Sequence, residues 1–236
     1  MKSSHISPEA VCLAAAILIG CIAIGMRLMA PAVGAGYVSN GFMLPASRYS
    51  LILPLIACGF VFSGDRPVAL GASLTAFVST LWLALCYTET LFISLDGLIA
   101  YTLGSPFVTT SMALAAGSAL LLPPAARQWL APLVGAICGS GLGLSIGPES
   151  PGDDYSGWFL AAGGLGGMGI VIASIAMART IRQIGNDPLL TIIGRILGSW
   201  LIAASLMLAA LALVPKRPIN LSPLPAAFPD SINVPR

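Results

Sequence analysis

The sequence predicts an all-α fold, a polytopic bundle of transmembrane helices that pack through glycine-rich faces. Three observations predict it. The mean hydropathy is +0.92, and only 8% of the 236 residues are charged while 57% are hydrophobic, against about 25% charged residues in a soluble domain. Apolar windows recur along almost the whole chain. Within one of them glycine returns at every fourth position, which is typical of a helix–helix contact in lipid.

Seven apolar windows are long enough to be considered as membrane spans. They lie at residues 10–29, 49–63, 67–87, 98–122, 129–146, 158–178 and 189–214. The window 49–63 is short unless its helix begins near Phe42, and Pro106 in the fourth window predicts a kink or a re-entrant start. About seven spans are therefore predicted, with six as the alternative.

The first window and the basic residues predict the orientation of the chain. Residues 10–29 resemble a signal peptide, but the apolar run is long and Arg27 interrupts it, so we expect an uncleaved anchor. With the N-terminus inside, the basic residues near the span ends fall on one side. These residues are Lys2, Arg66, Arg127, Arg179 and Arg182. We therefore expect a multi-pass protein of the bacterial inner (cytoplasmic) membrane with its N-terminus inside. Lys216 and Arg217 are exceptions, which leave the side of the C-terminal tail open.

A single domain is predicted for residues 1–214, followed by a proline-rich tail at residues 215–236. Asp187 and Pro188 open the last span as an N-cap followed by proline at the first helical position. The tail has no helical or strand period, so we expect it to be extended and to lie along a partner.

The glycines predict where helices touch. Gly135, Gly139, Gly143 and Gly147 form the glycine ladder of the fifth span. Gly163 and Gly167 give the sixth span a face that we expect to meet this ladder, and Gly194 with Gly198 gives the last span a second close-packing surface.

Two strings resemble catalytic motifs, and both are better interpreted as helix packing. Gly143, Ser145 and Gly147 spell a GxSxG nucleophile elbow, which requires a preceding strand and a histidine base, but the only histidine is His5. Residues 164–169 match GxGxxG, yet they lie inside an apolar window instead of between a strand and a helix. The five cysteines contain no CxxC pair, and Glu149 belongs to a solvated loop. The sequence thus predicts no catalytic, cofactor or metal site, and no enzyme.

Charged residues at membrane depth are costly and are therefore candidates for function. Arg27, Arg48, Glu89 and Asp96 fall on the same predicted outer side, where they form a hypothetical ion-pair cluster. The alternative for each of them is that the side chain snorkels to the interface. Arg195, about two turns into the last span, either snorkels or meets a partner.

Residues 40–53 resemble the signature HGFxHPxxGxDHIL of the HupE/UreJ family of small nickel and cobalt permeases. The matching residues are Gly41, Phe42, Pro45, Ile52 and Leu53. Where the family has histidine or aspartate, this chain has Asn40, Leu44, Ser50 and Leu51. The resemblance implies a compact bundle of six or seven helices. It carries over no nickel or cobalt ligand, because none of the family's ligand residues is retained.

Two functions remain open from the sequence. The first is a non-catalytic accessory or structural subunit of a larger membrane complex, with the lipid bilayer and other membrane subunits as partners. The alternative is a small permease or channel for a small solute, without the family's metal ligands. A net charge of +2 indicates no basic face for nucleic acid or for anionic lipid.

Overall fold

The computed structural model describes residues 35–64, 67–95, 101–150, 156–183 and 187–213. The described residues form an all-α bundle with no strand, which confirms the predicted fold class. The helices in chain order are α1 (Ala35–Ser47), α2 (Tyr49–Ser63), α3 (Pro67–Leu95), α4 (Tyr101–Leu121), α5 (Pro124–Ile146), α6 (Ser156–Gln183) and α7 (Asp187–Leu213). A short 3-10 turn, Gly147–Glu149, follows α5.

Each apolar window from residue 49 onwards corresponds to one helix, α2 to α7, and the window 49–63 coincides with α2. Helix α4 continues through Pro106. The expected anchor at residues 10–29 and the expected tail at residues 215–236 lie outside the described residues.

Four described helices are long and apolar enough to cross a membrane, within Val68–Tyr87, Pro124–Glu149, Ser156–Gln183 and Leu190–Leu211. A fifth span results if α1 and α2 count as one broken span, and in α4 the apolar segment Phe107–Leu121 is shorter. The described residues thus hold four to five span candidates, and the total of seven stays a prediction.

Helix α1 does not extend α2 in a straight line, because the two helices meet at 73°. Arg48 lies at the break with an extended backbone (φ −106°, ψ 105°), and its carbonyl accepts the N–H groups of Leu51 and Ile52 that begin α2. Pro45 in the last turn of α1 has no N–H to donate, which weakens the helix there. The sequence allowed one longer helix from near Phe42 through the window 49–63. The structure has two helices with a break between them instead.

The core lies between α2, α3, α5 and α6, where bulky apolar side chains such as Phe62, Phe77, Leu81 and Leu142 are fully buried. Helix α7 is peripheral and packs mainly against α4. The interior is thus closed by close packing, to which dispersion contributes at every contact.

Four buried serine hydroxyls in the bundle are satisfied within their own helices. Ser73, Ser145, Ser174 and Ser205 each donate a hydrogen bond to the carbonyl four residues earlier. This pattern places a polar side chain in an apolar interior without an unsatisfied donor.

Candidate functional site

The glycine ladder of α5 brings its helix against the backbone of α3. A Cβ added to Gly135 would lie 2.6 Å from the carbonyl oxygen of Ser73. At Gly139 it would overlap the carbonyl oxygen of Phe77, and at Gly143 it would lie 2.9 Å from the carbonyl oxygen of Leu81. Only glycine permits this approach, because an added Cβ would meet these carbonyl oxygens and, at Gly143, also the Cβ of Ala84 at 2.6 Å, none of which can turn aside.

The ladder's partner differs from the one expected from the sequence, which paired it with the sixth span. The helix that lies against the ladder is α3, the third predicted span. Gly147 has another place in the structure, because it ends α5 and donates its N–H to the carbonyl of Gly143. Four-residue spacing identifies a contact face, but it contains no information on which helix covers that face.

Gly163 and Gly167 of α6 do face α5, but they receive side chains and not the ladder. Ile146 fills the space over Gly163, with its Cγ2 3.0 Å from an added Cβ, and Leu142 fills the space over Gly167. In the contact between α5 and α6, side chains of α5 therefore pack into the spaces that the glycines of α6 leave open.

The structure adds a glycine contact that the sequence analysis missed, between α1 and α6. A Cβ at Gly41 would overlap the carbonyl oxygen of Phe159, and one at Gly166 would overlap the carbonyl oxygen of Phe42. Reciprocal backbone contact lets α1 cross α6 closely. The only signal in the sequence was the abundance of small residues around Gly166.

On α7 the two predicted packing glycines differ. A Cβ at Gly198 would lie 2.8 Å from the carbonyl oxygen of Gly117 in α4, and a Cβ at Gly117 would lie 3.0 Å from the carbonyl oxygen of Gly198. Gly194 is less confined, because the nearest atom to its added Cβ is Cδ2 of Leu120 at 3.8 Å. Gly117 and Gly198 thus form the close point of α4 and α7.

The two strings that resemble catalytic motifs both lie in helices. Ser145 is buried in α5, and its hydroxyl donates to the carbonyl oxygen of Gly141 at 2.8 Å. Residues 164–169 belong to α6. Among the described residues there is no group of three or more His, Cys, Asp or Glu side chains that could hold a metal ion. Cys58 and Cys138 are buried, whereas Cys86 is exposed on α3.

At one end of the bundle Arg48 forms an ion pair with Glu149, with Nη2 2.7 Å from Oε1. The sequence predicts a solvated loop at Glu149, and its side chain is 40% exposed; the partner Arg48 is an addition that the sequence did not indicate. The other three residues of the expected ion-pair cluster have no described side chain. Arg27 and Asp96 lie outside the described residues, and only the backbone of Glu89 is described, in α3. The ion pair ties the break between α1 and α2 to the end of α5.

At the opposite end of the bundle a cavity of about 520 Å³ is lined by three arginines, Arg127, Arg182 and Arg195. We call it the arginine cavity. Its other walls include Phe60, Leu120 and Leu190, and the side chains of Gln128 and Thr191 also line it. Arg127 is in the first turn of α5 and Glu149 follows the end of α5, so the two charged ends are about 30 Å apart at 1.5 Å per residue. That separation equals the thickness of the hydrocarbon core of a bilayer.

Two arginines of this cavity cap helix ends. Arg127 donates from Nε to the carbonyl of Ala119 and from Nη2 to the carbonyls of Leu120 and Leu122, at the end of α4. Arg182 donates from Nη1 to the carbonyl of Ser63 at 3.1 Å, at the end of α2. Both therefore satisfy terminal carbonyls and complement the negative ends of helix dipoles.

These features define the class of the protein as an all-α helical bundle whose apolar helices fit a membrane protein. Comparison with protein-family models, with curated proteins and with solved structures found no match to this chain. The resemblance of residues 40–53 to the HupE/UreJ signature stays a prediction. Two residues of that match have packing roles here, since Gly41 contacts Phe159 and Pro45 is fully buried.

Proposed function

We propose that this chain is a multi-pass protein of the bacterial inner membrane, with its N-terminus inside, and that it is a non-catalytic structural subunit of a larger membrane complex. One bundle at residues 1–214 is embedded in the bilayer, and the tail at residues 215–236 contacts a partner. The observation that carries the proposal is the outward face of α7.

Trp200 lies halfway along α7 and is 73% exposed. Tryptophan is enriched at the membrane–water interfaces, where its indole N–H meets water or headgroups. In the described part of the chain this N–H has no acceptor, and hydrocarbon offers none. A transmembrane helix of another subunit would cover the ring and supply an acceptor.

The closed interior supports a structural role. Between the Arg48–Glu149 pair and the arginine cavity, the described core of α2, α3, α5 and α6 consists of apolar side chains and self-satisfied hydroxyls. General acid–base, nucleophilic and metal-assisted catalysis each require a constellation of polar groups. The side chains of the described core pack against one another and do not form such a constellation.

The test is site-specific photo-crosslinking in the native host. A photoactivatable phenylalanine analogue at position 200 is expected to form an adduct with one other membrane protein. The same analogue at Leu133, which is 56% exposed on α5, is the lipid-facing control and is expected to form none. Trp200→Phe, which removes the N–H and keeps an aromatic ring, is expected to lower co-purification of that protein in mild detergent.

The outcomes separate the hypotheses. A wild-type chain that extracts as a monomer and gives no adduct from position 200 would refute the subunit proposal. An adduct with a second copy of this chain would replace it with a homo-oligomer.

A permease for a small solute is the second candidate, and the break between α1 and α2 favours it. Discontinuous helices with charged or polar groups at the break are a feature of secondary transporters, and here Arg48 lies at a 73° break. Solute flux into liposomes by the purified chain alone, abolished by Arg48→Gln, would favour the permease. Liposomes without flux would count against it.

A further inference from the structure

The arginine cavity collects cationic groups from three helices at one end of the bundle. Arg127 comes from the start of α5, Arg182 from the end of α6 and Arg195 from the second or third turn of α7. Cα–Cβ bonds in a helix tilt toward its N-terminus, so the long side chain of Arg195 is directed back toward this end. Three separate elements thus converge on one volume of about 520 Å³.

The described lining of the cavity carries three guanidinium groups, those of Arg127, Arg182 and Arg195. Among the lining residues that the structure describes there is no Asp or Glu. Asp65 and Asp187 are the acids that adjoin lining segments in the sequence. If both carboxylates neutralised a guanidinium, one of the three would still be uncompensated. Bonds from Arg127 and Arg182 to backbone carbonyls leave the formal charge of each guanidinium unchanged.

The lining is amphipathic. Guanidinium, amide and hydroxyl groups share the cavity with Phe60, Leu120 and Leu190. Next to Arg195 on the outward face of α7, Ile192 and Ile196 are 58% and 60% exposed. A ligand that carries an anionic head and an apolar tail would match both surfaces.

We propose that the arginine cavity binds a phosphate group, with Arg195 as the principal ligand-binding side chain. Guanidinium groups bind phosphate oxygens in pairs of parallel hydrogen bonds, which gives both energy and orientation. The phosphate belongs either to the headgroup of an anionic phospholipid or to a soluble phosphate compound. The site needs only this chain, so it does not depend on the proposed subunit role.

The test uses the purified full chain in a neutral detergent and follows thermal unfolding. Phosphatidylglycerol is compared with phosphatidylcholine at equal concentration, and inorganic phosphate with chloride at equal ionic strength. Wild type is expected to be stabilised by several degrees by a phosphate-bearing anion but not by its control. R195Q is expected to bind that anion about tenfold more weakly or worse, because it loses a charged hydrogen-bonding group.

Arg179 is the matched control, because it is a basic residue of α6 outside the cavity lining. R179Q is expected to bind as wild type does. R195K, which keeps the charge and loses the planar fork, is expected to bind with intermediate affinity. It also serves in place of R195Q if that variant does not fold.

Each outcome decides the proposal. Stabilisation by phosphatidylglycerol alone supports a lipid headgroup, whereas protection by inorganic phosphate that also displaces phosphatidylglycerol supports a soluble compound. The proposal is overturned if phosphatidylcholine stabilises as strongly as phosphatidylglycerol, if neither anion shifts wild type, or if R179Q loses as much affinity as R195Q. None of these measurements requires a partner subunit.

Discussion

Replacement of Gly139 by a larger residue is expected to destabilise the bundle at the contact of α5 and α3. An added Cβ would overlap the carbonyl oxygen of Phe77 and would lie 2.5 Å from Oγ1 of Thr80. An ordinary C···O contact is about 3.3–3.6 Å, so the helices must separate by about 1 Å. A gap of this size forfeits a quarter to a half of the dispersion energy at each contact along the interface.

The magnitude follows from two opposing effects. Overpacking a filled interface costs about 1–3 kcal/mol, and alanine gains about 1 kcal/mol over glycine in helix propensity. We therefore expect Gly139→Ala to lower the free energy of unfolding by up to about 2 kcal/mol, and Gly139→Leu to lower it further. Gly71→Ala on α3 is the matched control, because its added Cβ meets no atom within 4 Å. The free energy of unfolding of Gly71→Ala is expected to be unchanged or to rise by up to about 1 kcal/mol.

The assay is unfolding of purified protein in mixed micelles of a mild detergent and dodecyl sulfate, followed by circular dichroism. Ser145→Ala supplies a second comparison, because it removes only a hydrogen bond within α5 to the carbonyl of Gly141. That loss is about 0.5–1.5 kcal/mol, which is less than the loss expected for Gly139→Leu. Equal stability of Gly139→Ala and Gly71→Ala would refute the packing argument. A larger loss from Ser145→Ala than from Gly139→Leu would reopen the case for a catalytic serine.

Two further predictions concern the ends and the periphery of the bundle. Arg48→Glu and Glu149→Arg are each expected to lose up to about 1 kcal/mol in the same unfolding assay, because the pair is partly exposed. The double variant that exchanges the two residues is expected to restore most of the lost stability. A double variant no more stable than the single variants would count against the ion pair. Gly198→Ala is expected to loosen α7 at Gly117 and to raise its cleavage by protease by about tenfold, whereas Gly194→Ala has room for its methyl group. Equal cleavage of these two variants would contradict the close contact of α4 and α7.

Much of the secondary structure could be predicted from the sequence, because hydropathy and helix start signals are local properties. The apolar window at 49–63 coincides with α2, and α7 begins at Asp187 where an N-cap was predicted. The break at Arg48 was harder to predict from the sequence. Pro45 was a local signal that the sequence analysis did not use for this purpose, and the angle of the break depends on the packing of α1 across α6.

The charged sites depended on tertiary structure to a greater degree. The pairing of Glu149 with Arg48 could not be predicted, because the two residues are distant in sequence. The overall charge of +2 indicated no basic surface, since a sum over the chain cannot show that Arg127, Arg182 and Arg195 converge. Only the packing of α5, α6 and α7 brings the three guanidiniums to one cavity.

By itself the sequence determined that this protein is a helical bundle with glycine contact faces, because composition and four-residue periodicity act within a single helix. The tertiary structure decided which helix covers each face. The ladder at Gly135, Gly139 and Gly143 meets α3, and Gly198 meets Gly117. The physical reason is that a small-residue face permits close approach to any helix, whereas its actual neighbour follows from how all the helices pack together.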